Sequence, residues 1–178
     1  MNKFKKTLIT VVSCFATIFS YAQEPNLRNS QNYADISQTW QQFLTTISTK
    51  DKLAFKKLSD TTINCYECLE NTTEELNAIN HMRMNDSTWY ERIYEDMIYV
   101  PIADFITDDF DLIFTPSLVK ILKSKKPIFN RNDIDKSIIS EVLITGIEPN
   151  EEFEGMQYVF AFKMINGVLK FTQLNTIP

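Results

Sequence analysis

"EGMQYVFAFKMINGVLKFTQLNTIP", residues Glu154 to Pro178, closes the chain with two runs of β-branched and aromatic residues that meet at Asn166 and Gly167. An Asn-Gly pair accepts the positive φ angles of a two-residue hairpin turn, whose twist matches that of the strands it joins. The pair therefore predicts a hairpin whose register is set at the turn. Counting outward, Ile165 faces Val168, Met164 faces Leu169, Lys163 faces Lys170 and Phe162 faces Phe171. Continued without interruption, the register sets Phe160 opposite Gln173 and Tyr158 opposite Asn175. One face is then aromatic near the turn and polar at the far end.

Upstream, "SIISEVLITGI" has the same β-rich character and predicts a further strand beside the hairpin. The first half of the chain reads differently. Ile36, Trp40, Phe43, Leu44 and Ile47 recur at the three-and-four spacing of one helical face, while Gln38, Gln41, Gln42 and Thr45 fall on the other sides. After a break near Ser48 to Lys50, "KDKLAFKKLSD" predicts a second short helix with Leu53, Ala54 and Leu58 buried, and Thr61 to Cys65 a short strand. In "MNDSTWYERIYEDMIYVP", Asp86 or Ser87 can cap a helix that Pro101 ends. Thr115 and Pro116 open another helix, with Leu118, Val119, Ile121 and Leu122 inward. Lys123, Lys125 and Lys126 crowd its end, where free carbonyls favour positive charge. The fold class is α+β, with N-terminal amphipathic helices packed on an antiparallel sheet that ends in a C-terminal meander.

This order, with "WQQFLTTISTKDKLAFKKL" in the opening helix and "FAFKMINGVLKFTQLNTIP" in the closing hairpin, resembles the nuclear transport factor two-like, or cystatin-like, superfamily from Tyr33 to Pro178. The resemblance implies a curved sheet wrapped around the first helix into a cone-like body with a pocket. The helical material between Trp89 and Lys126 departs from the simplest members. Isomerases, dehydratases, ligand carriers and interaction modules share that fold, so it implies no single activity.

The chain begins "MNKFKKTLITVVSCFATIFSYAQEPN", three lysines followed by an apolar run from Thr7 to Phe19 and small residues at Ser20 and Ala22. That is the build of a signal peptide over residues 1–22, cut after Ala22 and too short in its apolar part to anchor the protein. The alternative is a lipoprotein carried on Cys14. Residues 23–32 read as a flexible leader and residues 33–178 as one domain. Export to the periplasm or beyond leaves 15 basic against 23 acidic side chains, a balance that disfavours nucleic acid and anionic membrane as partners. Three glycines cannot assemble a phosphate-binding loop or dinucleotide fingerprint, and no cofactor is expected.

Candidate site residues are few. Cys65 and Cys68, in "INCYECLE", are the only cysteines after cleavage, and an oxidising compartment lets them pair. Zinc would need two more ligands from His81 and the carboxylates, and redox work would need a capped helix start; neither pattern is present, and no metal site is expected. The acidic run "DFITDDFDL" lacks the glycine and closing glutamate of a calcium loop. Tyr158, Phe160, Gln173 and Asn175 form the candidate ligand-binding set, because polar groups beside an aromatic surface are typical of pockets. These residues favour a non-catalytic protein that binds a small apolar ligand or a cell-envelope partner. The rival is an isomerase, dehydratase or hydrolase in which His81 works as general base within hydrogen-bond reach of a pocket carboxylate.

Overall fold

Helix α1 (Leu27–Thr49) buries the expected stripe: Ile36, Trp40, Phe43, Leu44 and Ile47 are all buried, the indole completely. The computed structural model describes residues 27–134 and 137–178. Residues 1–22, with Cys14, and the first part of the expected leader lie outside the described residues. Among the described residues the helix already runs at Leu27, ahead of the Tyr33 expected from sequence, through polar residues that include no glycine or proline. It ends at Lys50, which takes a left-handed φ of 54°, and Asp51 then caps α2 (Lys52–Leu58) by accepting from the Ala54 amide at 2.9 Å. The buried residue of α2 is Phe55; Leu53, expected inward, is 76% exposed. Phe55 sits among Phe43, Phe105, Phe110, Phe114 and Phe171, with ring centroids 5.0–5.8 Å apart, and this aromatic contact sets the helix rotation.

Strands β1 (Ser59–Cys65), β2 (Tyr99–Pro101), β3 (Ile128–Ile134), β4 (Ser137–Ile147), β5 (Met156–Ile165) and β6 (Val168–Ile177) form one curved, open sheet in the order β2-β1-β6-β5-β4-β3. The last four make the antiparallel meander. The sheet as a whole is mixed rather than antiparallel, because β1 pairs parallel with β6, Ser59 opposite Phe171 and Cys65 opposite Leu174. Such a pairing across more than a hundred residues leaves no local trace in sequence. Trp40 lies 5.1 Å from Phe160, and Phe43 lies 5.6 Å from Phe162 and 5.0 Å from Phe171, so α1 rests in the hollow of the meander.

The hairpin keeps its expected register from Ile165–Val168 to Phe162–Phe171 and then shifts. Thr172 is an extra residue in β6, its hydroxyl donating to the Ala161 carbonyl, so Gln173 pairs with Ala161, Leu174 with Phe160, Asn175 with Val159 and Thr176 with Tyr158. A bulge of this kind reverses the faces beyond it. It keeps Leu169, Phe171 and Leu174 buried together, which strict alternation would not allow.

Between β1 and β3 the chain builds a helical layer: α3 (Thr73–Asn85), α4 (Trp89–Glu91) running into a π-helical stretch (Arg92–Met97), then α5 (Ile102–Asp104), a second π-helical stretch (Phe105–Asp109), α6 (Phe110–Ile113) and α7 (Pro116–Ser124). Thr72 and Glu75 form a reciprocal capping box on α3, and Thr115 caps α7 with Pro116 in its first turn. Ile79, Ile93 and Ile98 hold a second small core, over which Tyr66 stacks on Tyr94 at 5.7 Å.

Candidate functional site

The Cys65 amide donates to the Ile98 carbonyl at 2.8 Å, and Cys65 and Cys68 are joined by a disulfide across a Cα separation of 5.4 Å. The two residues inside that ring serve different neighbours. Tyr66 donates its hydroxyl to Glu70 Oε1 at 2.7 Å and accepts from Arg83; burial, with Glu70 beside it, pushes the phenol up to about 12. Glu67 turns to the sheet, where its Oε1 accepts from the Thr176 hydroxyl at 3.0 Å. Its Oε2 is closed off from solvent and has no hydrogen-bond partner among the described residues. Burial raises this carboxyl above its ordinary value, against the hydrogen bonds from its own amide and from Thr176.

Glu67 lines a cavity of about 320 Å³ at the end of the meander away from the Asn166 turn. Tyr158, Leu174 and Thr176 form its sheet wall, and Leu112, Ile113, Leu118 and Ile121 of α6 and α7 form the opposite, apolar wall. Thr115 and Ser117, whose hydroxyls are 2.9 Å apart, and Asn71 add polar groups at its edge. Asn71 donates to Asp109 Oδ1 at 2.7 Å. Asp109 is only 6% exposed; burial pushes it up to about 6, with Asn71 opposing and the neighbouring charges of Glu75 and Asp108 adding. The Tyr158 ring has its place because Gly146 of β4 has no side chain: a Cβ there would fall 2.7 Å from Tyr158 Cε2.

Of the four sequence candidates on the hairpin, Tyr158 lines this cavity. Phe160 shares its face but lies wholly buried beneath Trp40 in the core. Gln173 and Asn175 do not join them; the bulge turns both to the other face, opposite Ala161 and Val159. Thr176 stands where Asn175 was expected, opposite Tyr158. The signal for this was the spacing of Phe171 and Leu174, three residues where regular alternation has two. Glu67 carries no local signal, since a single glutamate between two cysteines has no spacing that points to a cavity wall. His81 is exposed on α3 and lines no part of the cavity. Among the described residues no three His, Cys, Asp or Glu side chains converge as a metal site would need.

Against known proteins, the chain matches no family model, no curated protein and no solved structure. The chemistry of the cavity is therefore the guide to its use. Apolar walls with a few polar groups at one end suit a compact apolar molecule that carries one hydrogen-bonding group. Among the described residues, no helix is long and apolar enough to cross a membrane.

Proposed function

We propose that the protein is an exported, non-catalytic binding protein whose cavity between Tyr158 and α7 takes a compact, largely apolar molecule with a single polar group. The observation that carries this reading is the cavity of about 320 Å³, apolar on its α7 wall and edged by Glu67, Asn71, Tyr158 and Thr176. That volume lies at the small end of the range of ligand pockets, and a few fixed polar groups are what orient a ligand within one. The likeness to the nuclear transport factor two-like superfamily belongs to the same proposal; the seat of α1 in the bend of the sheet supports it. The rival reading, catalysis by His81, finds no support, since the imidazole is exposed on α3 and outside the cavity.

Thermal-shift screening with compact alicyclic and aromatic alcohols, ketones and amines tests this. A ligand at a hundred times its Kd adds about 2.7 kcal/mol, or roughly 5–10 °C for a domain of this size. The Ser117→Trp variant, which sets an indole over the mouth from an exposed position, removes the shift if the ligand enters here. A library that stabilises nothing, or a shift that survives Ser117→Trp undiminished, overturns the proposal.

A further inference from the structure

The hydrogen bonds at the polar end of the Tyr158 cavity all run one way. Thr176, on the sheet wall, spends its hydroxyl hydrogen on Glu67 Oε1 at 3.0 Å, and Asn71 gives an amide hydrogen to Asp109 Oδ1 at 2.7 Å. A threonine hydroxyl has a single hydrogen, so once it is committed only oxygen lone pairs remain for a ligand, and the Asn71 carbonyl oxygen is likewise an acceptor. Glu67 Oε2, closed off from solvent, has no partner among the described residues. This end therefore offers acceptors and calls for donors. Its charge has the matching sign. Glu67 lines the cavity and Asp109 stands one hydrogen bond behind Asn71. Among the described residues neither carboxyl joins an ion pair, and no Lys, Arg or His lines the cavity. Arg83 is engaged by Glu70 at 3.1 Å and by the Tyr66 hydroxyl. Burial raises both carboxyls above their ordinary values, with no positive neighbour to hold them down. The apolar wall opposite is open to an occupant: Leu112 is 48% exposed, and Ile113, Leu118 and Ile121 are half-buried.

Given that the Tyr158 cavity is a binding site, as proposed above, we further propose that its ligand is a compact apolar amine, with the ammonium group among Glu67, Asn71 and Thr176 and the hydrocarbon body against Leu112, Leu118 and Ile121. An ammonium group supplies three N–H donors and no acceptor, the complement of that end of the cavity. It contacts the oxygens of Thr176 and Asn71 and feels Glu67 and Asp109 through their charge, so Glu67 Oε2 need not be uncovered. The attraction is stronger in a partly dry cavity than in water, because the local dielectric is lower. An alcohol of the same shape brings one donor and no charge, and a carboxylate brings acceptors alone.

Calorimetric titration of the full chain with cyclohexylmethylamine, cyclohexylmethanol and cyclohexanecarboxylate tests the proposal, at about 0.15 M salt, where attraction between distant exposed charges is largely screened. The amine is expected to bind at least about tenfold tighter than the alcohol, and the carboxylate not at all. Glu67→Gln keeps an oxygen to accept from Thr176 but removes the charge, and it brings amine and alcohol to near equality. Glu91→Gln, which removes an exposed carboxyl on α4, leaves the amine preference in place, and Ser117→Trp abolishes amine binding. Alcohol or carboxylate binding as tightly as the amine, a preference that survives Glu67→Gln, or amine binding that survives Ser117→Trp overturns the assignment of an amine. If none of the three binds while the thermal-shift library has a hit that Ser117→Trp removes, the amine assignment alone falls. If the library fails as well, the reading of the cavity as a binding site falls with it.

Discussion

Asp109→Asn tests the electrostatics of the helical layer. Asp109 is 6% exposed and held at about 6, above the ordinary carboxylate value of 3.8, chiefly by burial. Its folded-state value is raised, so its contribution to stability is fully present below about pH 4 and is lost as pH rises through about 6. A shift of about two units corresponds to at most about 3 kcal/mol; partial screening by nearby water brings the expected loss to about 1–3 kcal/mol. Asparagine keeps the shape of the side chain and an oxygen that can accept from Asn71, but carries no charge to desolvate. Asp109→Asn is therefore expected to be more stable than the parent by about 1–3 kcal/mol at pH 8, a rise in Tm of roughly 2–10 °C, and equal to it at pH 4. Urea or thermal melts of both proteins from pH 4 to 8, followed by circular dichroism, measure the difference directly. Glu67, Asp86 and Asp111 also have shifted values, but they are present in both proteins and cancel. A variant no more stable at pH 8, or a gap that persists at pH 4, refutes the reasoning.

Three further outcomes are expected. Gly146→Ala places a methyl group 2.6 Å from Met156 Cε and 2.7 Å from the Tyr158 ring, so it should cost about 1–3 kcal/mol in denaturant melts and weaken any ligand that stabilises the protein through the Tyr158 cavity. Phe43→Ala removes a ring that packs on Trp40, Phe55, Phe114, Phe160, Phe162 and Phe171; a loss of about 3–5 kcal/mol is expected, and a loss under about 1 kcal/mol would contradict the core described above. Because the ring closed by Cys65 and Cys68 is small, Cys65→Ala with Cys68→Ala should cost only about 2 kcal/mol by chain entropy, and thiol titration of the parent under denaturing conditions should find no free thiol at these two positions.

Local instructions in the sequence are carried by residues within a few positions of one another. Asn166 and Gly167 set the turn and the first four pairs of the hairpin, the stripe from Ile36 to Ile47 decides which side of α1 is buried, and Thr115 with Pro116 starts α7; each is legible because its cause is adjacent in the chain. Tertiary structure decides what depends on distant neighbours. The bulge at Thr172 exists because Leu174 must reach the core beside Phe160, Phe55 rather than Leu53 turns inward because five other rings await it, and β1 lies parallel to β6 because that edge of the meander is open to it. The Tyr158 cavity follows from those choices. Reversing the hairpin face beyond Phe171 removes Gln173 and Asn175 and brings in Thr176, and only then does Glu67, more than a hundred residues earlier, meet the sheet. Alternation and turn chemistry act over a few residues, whereas burial is shared by the whole core, and where the two compete the larger hydrophobic gain prevails.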